Sequence, residues 1–440
     1  MRINKNSLIP YISIFISVLF YYAEMAHQLF FNIFSHATNA IALFDHINII
    51  SHYYLVYLIV ITPVFVFLNG KMNSLYKCLF YFIFPYFLSL FAWYTHIYFD
   101  LPKNSNYGYT DLSSDWNNVA VNWFKSQYAW HVTPESVVFC PRIIQAVSLY
   151  IQNFTQIGDK VTTLSPAYHP ISNTVCVNHR QLLESPLIYH NGCYEIDFDD
   201  LEDKFKQSVC FILLSPHNPT GTVWQQADLL KIAKLAEKYK VFIISDDVHA
   251  DFVFDNAIYR PISTLSSYVE QHSFICTSPA KTFNLAGLEI ANIVIANPEY
   301  REKFKQCLIA AGIHNPGYFS VPAFLQAYTL QGQQWIKELK HYLAENRQWV
   351  KEQCARYFPD WVITQSHGTY MLWINYQKMQ LTEQQLKHWF VSLAEVEMSW
   401  GSGFGAAGDG FFRINIATPR SILETVFTRL IRTSPHASLE

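Results

Sequence analysis

The sequence predicts an α/β protein with a mainly parallel, doubly wound sheet, a smaller C-terminal α+β domain and an atypical apolar block in front. Three observations predict it. Short apolar runs alternate with amphipathic stretches through the middle of the chain, the pattern of strands joined by helices. The runs are continuously apolar, as strands buried on both faces require. Past Pro298 the pattern turns helical through Trp335 to Tyr357 and then to short strands around Tyr370–Ile374 and Phe411–Ile414. The expected divisions are residues 1–100 for the apolar block, 101–310 for the large domain and 311–440 for the small one.

In chain order, Val137-Val138-Phe139 is the first strand. Pro141 follows, then a helix with Ile143, Ile144, Val147 and Ile151 at helical spacing. Gly158-Asp159-Lys160 turns into a second strand, Val161–Leu164, and Cys210–Leu214 is a third. Gln225–Tyr239 is amphipathic, with Leu229, Leu230, Ile232, Ala233 and Ala236 on one face. Val241–Ile244, Phe274–Thr277 and Ile290–Ala296 complete the strands of the large domain.

Composition narrows the function. With 31 basic and 34 acidic residues among 440 and a net charge of −3, the chain lacks the basic excess of a nucleic-acid binder. A hydrophobic content of 51% excludes a largely disordered chain. Eight cysteines without a C-x-x-C pair argue against a zinc-finger-type metal site and a disulfide scaffold. No metal is expected, and reduced thiols point to the cytoplasm.

The first hundred residues stand apart. They hold only seven charged side chains: Arg2, Lys5, Glu24, Asp45, Lys71, Lys77 and Asp100. Leu8–Phe34 (interrupted by Glu24 and His27), Tyr53–Leu68 and Leu79–Phe99 approach the ~20 apolar residues of a membrane span. One reading is a membrane anchor with Arg2, Lys5, Lys71 and Lys77 on the cytoplasmic side. Three spans would then carry the rest of the chain outside the cell, against its cytosolic chemistry. The other reading is a segment that is not the native start of the domain, of the composition an AT-rich frame read out of register yields. A signal peptide is excluded, because no small-residue cleavage site follows the first apolar run.

Four segments carry chemistry, each at or near a strand end, where ligands of open α/β sheets bind. In Ser215-Pro216-His217-Asn218-Pro219-Thr220-Gly221, Asn218 is held between two prolines with its amide free for a ligand; the plain alternative is a turn. In Ser245-Asp246-Asp247-Val248-His249, Asp246 directly follows an apolar strand, where a carboxylate needs a cationic partner; the alternative is a helix cap. In Thr277-Ser278-Pro279-Ala280-Lys281-Thr282-Phe283-Asn284, Lys281 among small and apolar residues suits an amine nucleophile; the alternative is an exposed lysine. In Gly401-Ser402-Gly403-Phe404-Gly405 and Phe411-Phe412-Arg413-Ile414-Asn415, Arg413 inside an apolar strand suits a bidentate anion; the alternative is an internal ion pair.

Asn218, Asp246, Lys281 and Arg413 in that order resemble the fold-type I pyridoxal-phosphate enzymes of the class I/II aminotransferase group. The resemblance runs from about Tyr107 to Arg432. Within that group the chain is similar to the MalY/PatB branch, the cystathionine or cysteine-conjugate β-lyases. The features are Ser-Asp-Asp-Val-His ending at His249, Lys281-Thr282-Phe283-Asn284, the Gly-Ser-x-Phe-Gly string ending in Phe-x-Arg-x-Asn, and Tyr107-Gly108-Tyr109.

The resemblance implies pyridoxal 5′-phosphate as cofactor, a sulfur amino acid as substrate and a homodimer. It assigns Lys281 the Schiff base and later the α-proton, Asp246 the ring nitrogen, Asn218 the ring hydroxyl and Tyr168 the ring face. His249 stands where ordinary aminotransferases usually carry Tyr. Ser278 and the backbone N–H groups near Ile143 and Ile144 would bind the phosphate, together with Tyr109 from the neighbouring subunit. Arg413 would clamp the substrate carboxylate. The implied activity is β-elimination giving a thiol, pyruvate and ammonia. Transamination, or a cofactor-binding protein with impaired turnover, is the alternative.

The chain departs from the family pattern at Cys140 and Arg142, where small residues are usual. Cys140 would crowd the phosphate turn and Arg142 would add a phosphate contact. Ala280 stands where many relatives carry a hydroxyl. No Met-Asp-Phe string, which in the family lines the substrate pocket, is present upstream. The apolar block is the only part of the chain that would reach a membrane.

Overall fold

The computed structural model describes residues 108–435. The apolar block 1–100 and Tyr107 lie outside the described residues.

Helix α1 (Ser114–Tyr128) buries Trp116, Ala120, Trp123 and Phe124, a stripe at i, i+4, i+7 and i+8. Strand β1 (Val137–Cys140) leads into α2 (Ile143–Phe154). Then come β2 (Lys160–Ser165), α3 (His169–Val177) and β3 (Gln181–Pro186), and the small hairpin β4 (Ile188–His190) and β5 (Cys193–Glu195). Next are α4 (Phe198–Phe205), β6 (Ser208–Leu214), α5 (Gln226–Tyr239), β7 (Phe242–Asp246) and β8 (Ser273–Thr277). A four-residue helix, α6 (Pro279–Thr282), and β9 (Ala291–Val294) follow.

Seven strands form one sheet in the order β1-β9-β8-β7-β6-β2-β3. All pair in parallel except β9, which runs antiparallel to both β1 and β8. The reversal has a local cause: β8 returns directly as β9 through the segment that carries α6, with no helical crossover to restore direction.

Alternate residues of the central strands face two cores. Phe211, Leu213, Ile243 and Ile275 pack into one and Cys210, Ile212, Ile244 and Phe274 into the other. Burial on both faces is why these strands read as unbroken apolar runs. Edge strand β3 is half exposed, so its sequence, Gln-Leu-Leu-Glu-Ser-Pro, gives no such run.

The rest of the chain builds a second layer around β10 (Val362–Ile363), β11 (Met371–Asn375), β12 (Ser399–Trp400) and β13 (Phe411–Asn415), an antiparallel sheet in the order β10-β11-β13-β12. Of the helices in this stretch, α7 (Pro298–Ala310) packs back onto the first sheet through Phe304 and Leu308, whereas α8 (Leu330–Tyr357) and α9 (Arg420–Thr433) belong to the second layer. Among the described residues no helix is long and apolar enough to cross a membrane.

The two sheets are tied beside the site. The Gly368 N–H donates to the Gly221 carbonyl at 2.8 Å. A Cβ on Gly221 would stand 2.5 Å from the Ser366 Cβ, and Gly221 has φ +71°, so only glycine allows this approach. Arg347 of α8, buried, donates to the carbonyls of Ser366 and Thr369 and fixes the same loop.

Candidate active site

The carboxyl ends of the parallel strands converge at one edge. Beyond β2 lies Tyr168, beyond β6 Asn218, at the tip of β7 Asp246, and beyond β8 Lys281 on α6. Arg413 projects from β13 of the second sheet. Tyr168, Asn218, Asp246, His249, Lys281 and Arg413 line one cavity of about 150 Å³, together with Leu214, Pro216, Val248 and Met371.

The polar groups there are short of partners. Asp246 is buried, and its carboxylate accepts one hydrogen bond, from the Val248 N–H at 3.2 Å. Burial raises its pKa to about 6, against the opposing pull of that N–H and of the Lys281 charge. Buried His249 has no partner at Nδ1. Burial, then the charges of Lys281 and Arg413, lowers its pKa to about 3, so the ring is neutral at pH 7. Its ring and that of Tyr370 meet in a T-shaped contact, with centroids 5.4 Å apart. Arg413 donates to Asn218 Oδ1 at 2.8 Å and to Ser399 Oγ at 3.1 Å and lies 4.8 Å from the Phe404 ring centroid. Among the described residues no carboxylate neutralises it. The internal ion pair that the sequence left open for Arg413 is therefore not formed among them.

Immediately behind the cavity the polar groups are satisfied. Asp247 accepts from Ser245 Oγ at 2.5 Å and from the Tyr259 hydroxyl, while burial pushes its pKa up to about 7. Asp251 accepts from the Tyr128 hydroxyl and from Thr282 Oγ1, each at 2.6 Å. Thr282 adjoins Lys281, so Asp251 fastens α6 in place.

The other expected residues lie away from this cavity's lining. Ile143 and Ile144 form the first turn of α2, where backbone N–H groups lack helical partners. Ser278 caps α6, accepting from the Ala280 N–H at 3.0 Å and donating to the Ile290 carbonyl at 2.5 Å. Its hydroxyl proton is thus already committed. Arg142, expected to add a phosphate contact, forms an exposed ion pair with Glu289. Cys140, expected to crowd the turn, packs in the core, and burial pushes its pKa up to about 12. Tyr109 is fully exposed.

Sequence reasoning missed Tyr370, Met371 and Ser399 as site residues. Tyr370 carried one signal, its place at the start of a predicted strand just past Gly368-Thr369. Ser399 carried none.

A family model described as aminotransferase class I and II matches residues 98–430. The chain is 31% identical to cystathionine beta-lyase PatB of Bacillus subtilis over 326 residues, 74% of this chain and 84% of that protein. Cystalysin of Treponema denticola, solved with a pyridoxal 5′-phosphate cofactor, superposes with a TM-score of 0.73 at 26% identity, covering 75% of this chain and 84% of that one. A PLP-bound putative aminotransferase from Clostridium difficile gives a TM-score of 0.73 at 32% identity, covering 74% and 85%.

Proposed function

This chain belongs to the class I and II aminotransferase family, and from that premise we propose that it is a pyridoxal-phosphate carbon–sulfur β-lyase. Its substrates are sulfur amino acids of the cystathionine or cysteine S-conjugate kind, and its products a thiol, pyruvate and ammonia. The observation that carries the reading is the under-partnered set around one cavity: a buried carboxylate, a lysine, a neutral imidazole and an arginine without a carboxylate.

The donor set fits the cofactor. Asp246, with one hydrogen bond and a raised pKa, is completed by a cation such as a protonated ring nitrogen. Asn218 and His249 offer uncharged hydrogen bonds to a ring hydroxyl, and Tyr168 offers an aromatic face. Lys281 would hold the cofactor through its amine. The free N–H groups of Ile143 and Ile144 and Tyr109 of a second subunit are proposed for the phosphate, and Ser278 would join them by turning its hydroxyl proton away from the Ile290 carbonyl.

When bound, the cofactor supplies an electron sink for the pair left on the substrate Cα. Arg413 grips the substrate carboxylate in a two-point clamp and so fixes the Cα–H bond relative to Lys281. Lys281 Nζ, freed when the substrate amine takes its place, accepts the Cα proton. The Cβ–S bond breaks with its electron pair leaving on sulfur, the sulfur takes the proton held on Lys281 Nζ and departs as the thiol, and water converts the remaining three-carbon unit to pyruvate and ammonia. His249, uncharged at neutral pH, adds no cation that would compete with Arg413 for the carboxylate.

We further propose that residues 101–310 carry the cofactor, that 311–440 supply the carboxylate clamp, and that the protein works as a cytoplasmic homodimer. The test is to purify the full chain, supply pyridoxal phosphate and assay thiol and pyruvate with no amino-group acceptor present. One thiol per pyruvate is expected. A 2-oxo acid that keeps its side chain and forms only with an acceptor would instead make the protein an aminotransferase.

A further inference from the structure

We propose that the chain acts on cysteine S-conjugates with a bulky, uncharged, apolar thiol half in preference to cystathionine; the inference rests on the β-lyase reading. The observation is a second, larger cavity of about 600 Å³ that shares Lys281 with the first. Its walls are Phe252, Trp335, Leu339, Tyr342, Leu343 and Tyr370.

The two cavities meet at Lys281 and lie side by side along one strand. Side chains two apart on a strand share a face. Arg413 lines the small cavity and Asn415 the large one. Tyr370, in the wall of the large cavity, meets His249 of the small one. A substrate gripped at Arg413 and deprotonated by Lys281 extends its sulfur substituent past Lys281 into the large cavity.

Charge then decides what that substituent is. The distal half of cystathionine carries a carboxylate and an ammonium. Apart from Lys281, no cation lines the large cavity among the described residues. Its one other charged residue is Glu338, which accepts from Gln334 Nε2 at 2.6 Å and repels a carboxylate. The neighbouring cations are turned elsewhere. Arg420 donates to Asn346 Oδ1 at 2.9 Å and lies 5.2 Å from the Trp349 ring centroid, and Lys337 and Lys340 line a different cavity with Asp251. A carboxylate moved from water into the large cavity finds only the uncharged groups of Thr282, Asn284, Asn415 and Thr418 and no cation beyond Lys281, whereas an aromatic or alkyl group gains from burial against the rings.

The test compares kcat/KM for pyruvate release from S-benzyl-L-cysteine and L,L-cystathionine with the cofactor-loaded full chain. The expected ratio favours S-benzyl-L-cysteine by at least about tenfold. Trp335, half exposed at the cavity wall, is then changed to arginine. Trp335→Arg should lower that ratio by about tenfold or more, because it removes a ring and supplies a cation. Equal or better use of cystathionine by the unmodified chain, or a ratio that Trp335→Arg leaves unmoved, overturns the proposal. If neither compound releases pyruvate, the β-lyase reading fails, and affinities from the cofactor's absorbance decide about the cavity. Tighter binding of S-benzyl-L-cysteine upholds it, and equal binding overturns it.

Discussion

Asp246 and Asp247 are adjacent, both buried and both raised in pKa by burial, yet they belong to opposite kinds of environment. Asp247 has both oxygens engaged by hydroxyls, from Ser245 and Tyr259. Asp246 faces a cavity with a single backbone N–H for company. The same contrast extends outward. Asp251, Thr282 and Tyr128 close a satisfied layer behind the loop, while in front of it His249 Nδ1 has no hydrogen-bond partner and Arg413, bonded to Asn218 and Ser399, has no carboxylate among the described residues. A folded chain keeps unsatisfied buried polar groups where something outside the chain completes them. The layer behind serves to hold the layer in front.

The first way to break this contrast is at Lys281. Lys281→Ala should lower pyruvate release by about 10³-fold or more, while the circular dichroism of the chain is unchanged. Retained turnover would mean that another base moves the α-proton. Next is the aspartate pair. Asp246→Asn should lower kcat/KM by about a hundredfold and leave the thermal midpoint of the cofactor-free protein unchanged or slightly raised, since a buried, poorly paired carboxylate is removed. Asp247→Asn should cost about 1–3 kcal/mol of stability, read from denaturant midpoints. If the stability loss fell on Asp246 instead, the assignment of roles would be reversed.

The pH dependence sharpens the picture further. His217 is buried, with one nitrogen bonded to Thr220 Oγ1 at 2.8 Å and the other unpartnered. Burial lowers its pKa to about 3 from a usual 6.5. Between those values the unfolded chain binds the proton and the folded chain does not, so this residue makes stability fall as pH drops below about 6.5. The loss contributed between pH 7 and 5 is about 2 kcal/mol. His217→Gln should remove that part of the slope in urea titrations run at both pH values, and an unaltered slope would contradict it. The smallest effect is expected at Arg413. Arg413→Lys keeps the charge and loses the two-point clamp, so KM should rise about tenfold with kcat less affected. A fall in kcat alone would place Arg413 outside ground-state binding.

These residues were not equally legible in the sequence. Asp246 ends a buried strand, Asn218 and Lys281 lie four residues beyond the ends of two others, and Arg413 interrupts a fourth, so the buried sheet announced them. Strand β3 stayed silent because an edge strand exposed on one side needs no apolar run. Helix α1 was legible in the spacing of Trp116, Ala120 and Trp123 and was passed over. Asp246 and Asp247 cannot be told apart as neighbours in a string. The difference lies in Tyr259, a dozen residues on, and in a cavity wall that includes Met371 and Arg413 from the other sheet. Tyr370 and Ser399 escaped for the same reason: their place in the site depends on how two sheets meet, which local spacing does not encode.

The most direct test is to titrate pyridoxal phosphate into the purified full chain, Asp246→Asn and Asp247→Asn, side by side, and follow the visible absorbance of the bound cofactor. The account predicts that the unmodified chain and Asp247→Asn take up the cofactor with the same spectrum. Asp246→Asn should bind at least about tenfold more weakly or with an altered band. Matching spectra and affinities for all three proteins, or a loss confined to Asp247→Asn, would contradict it.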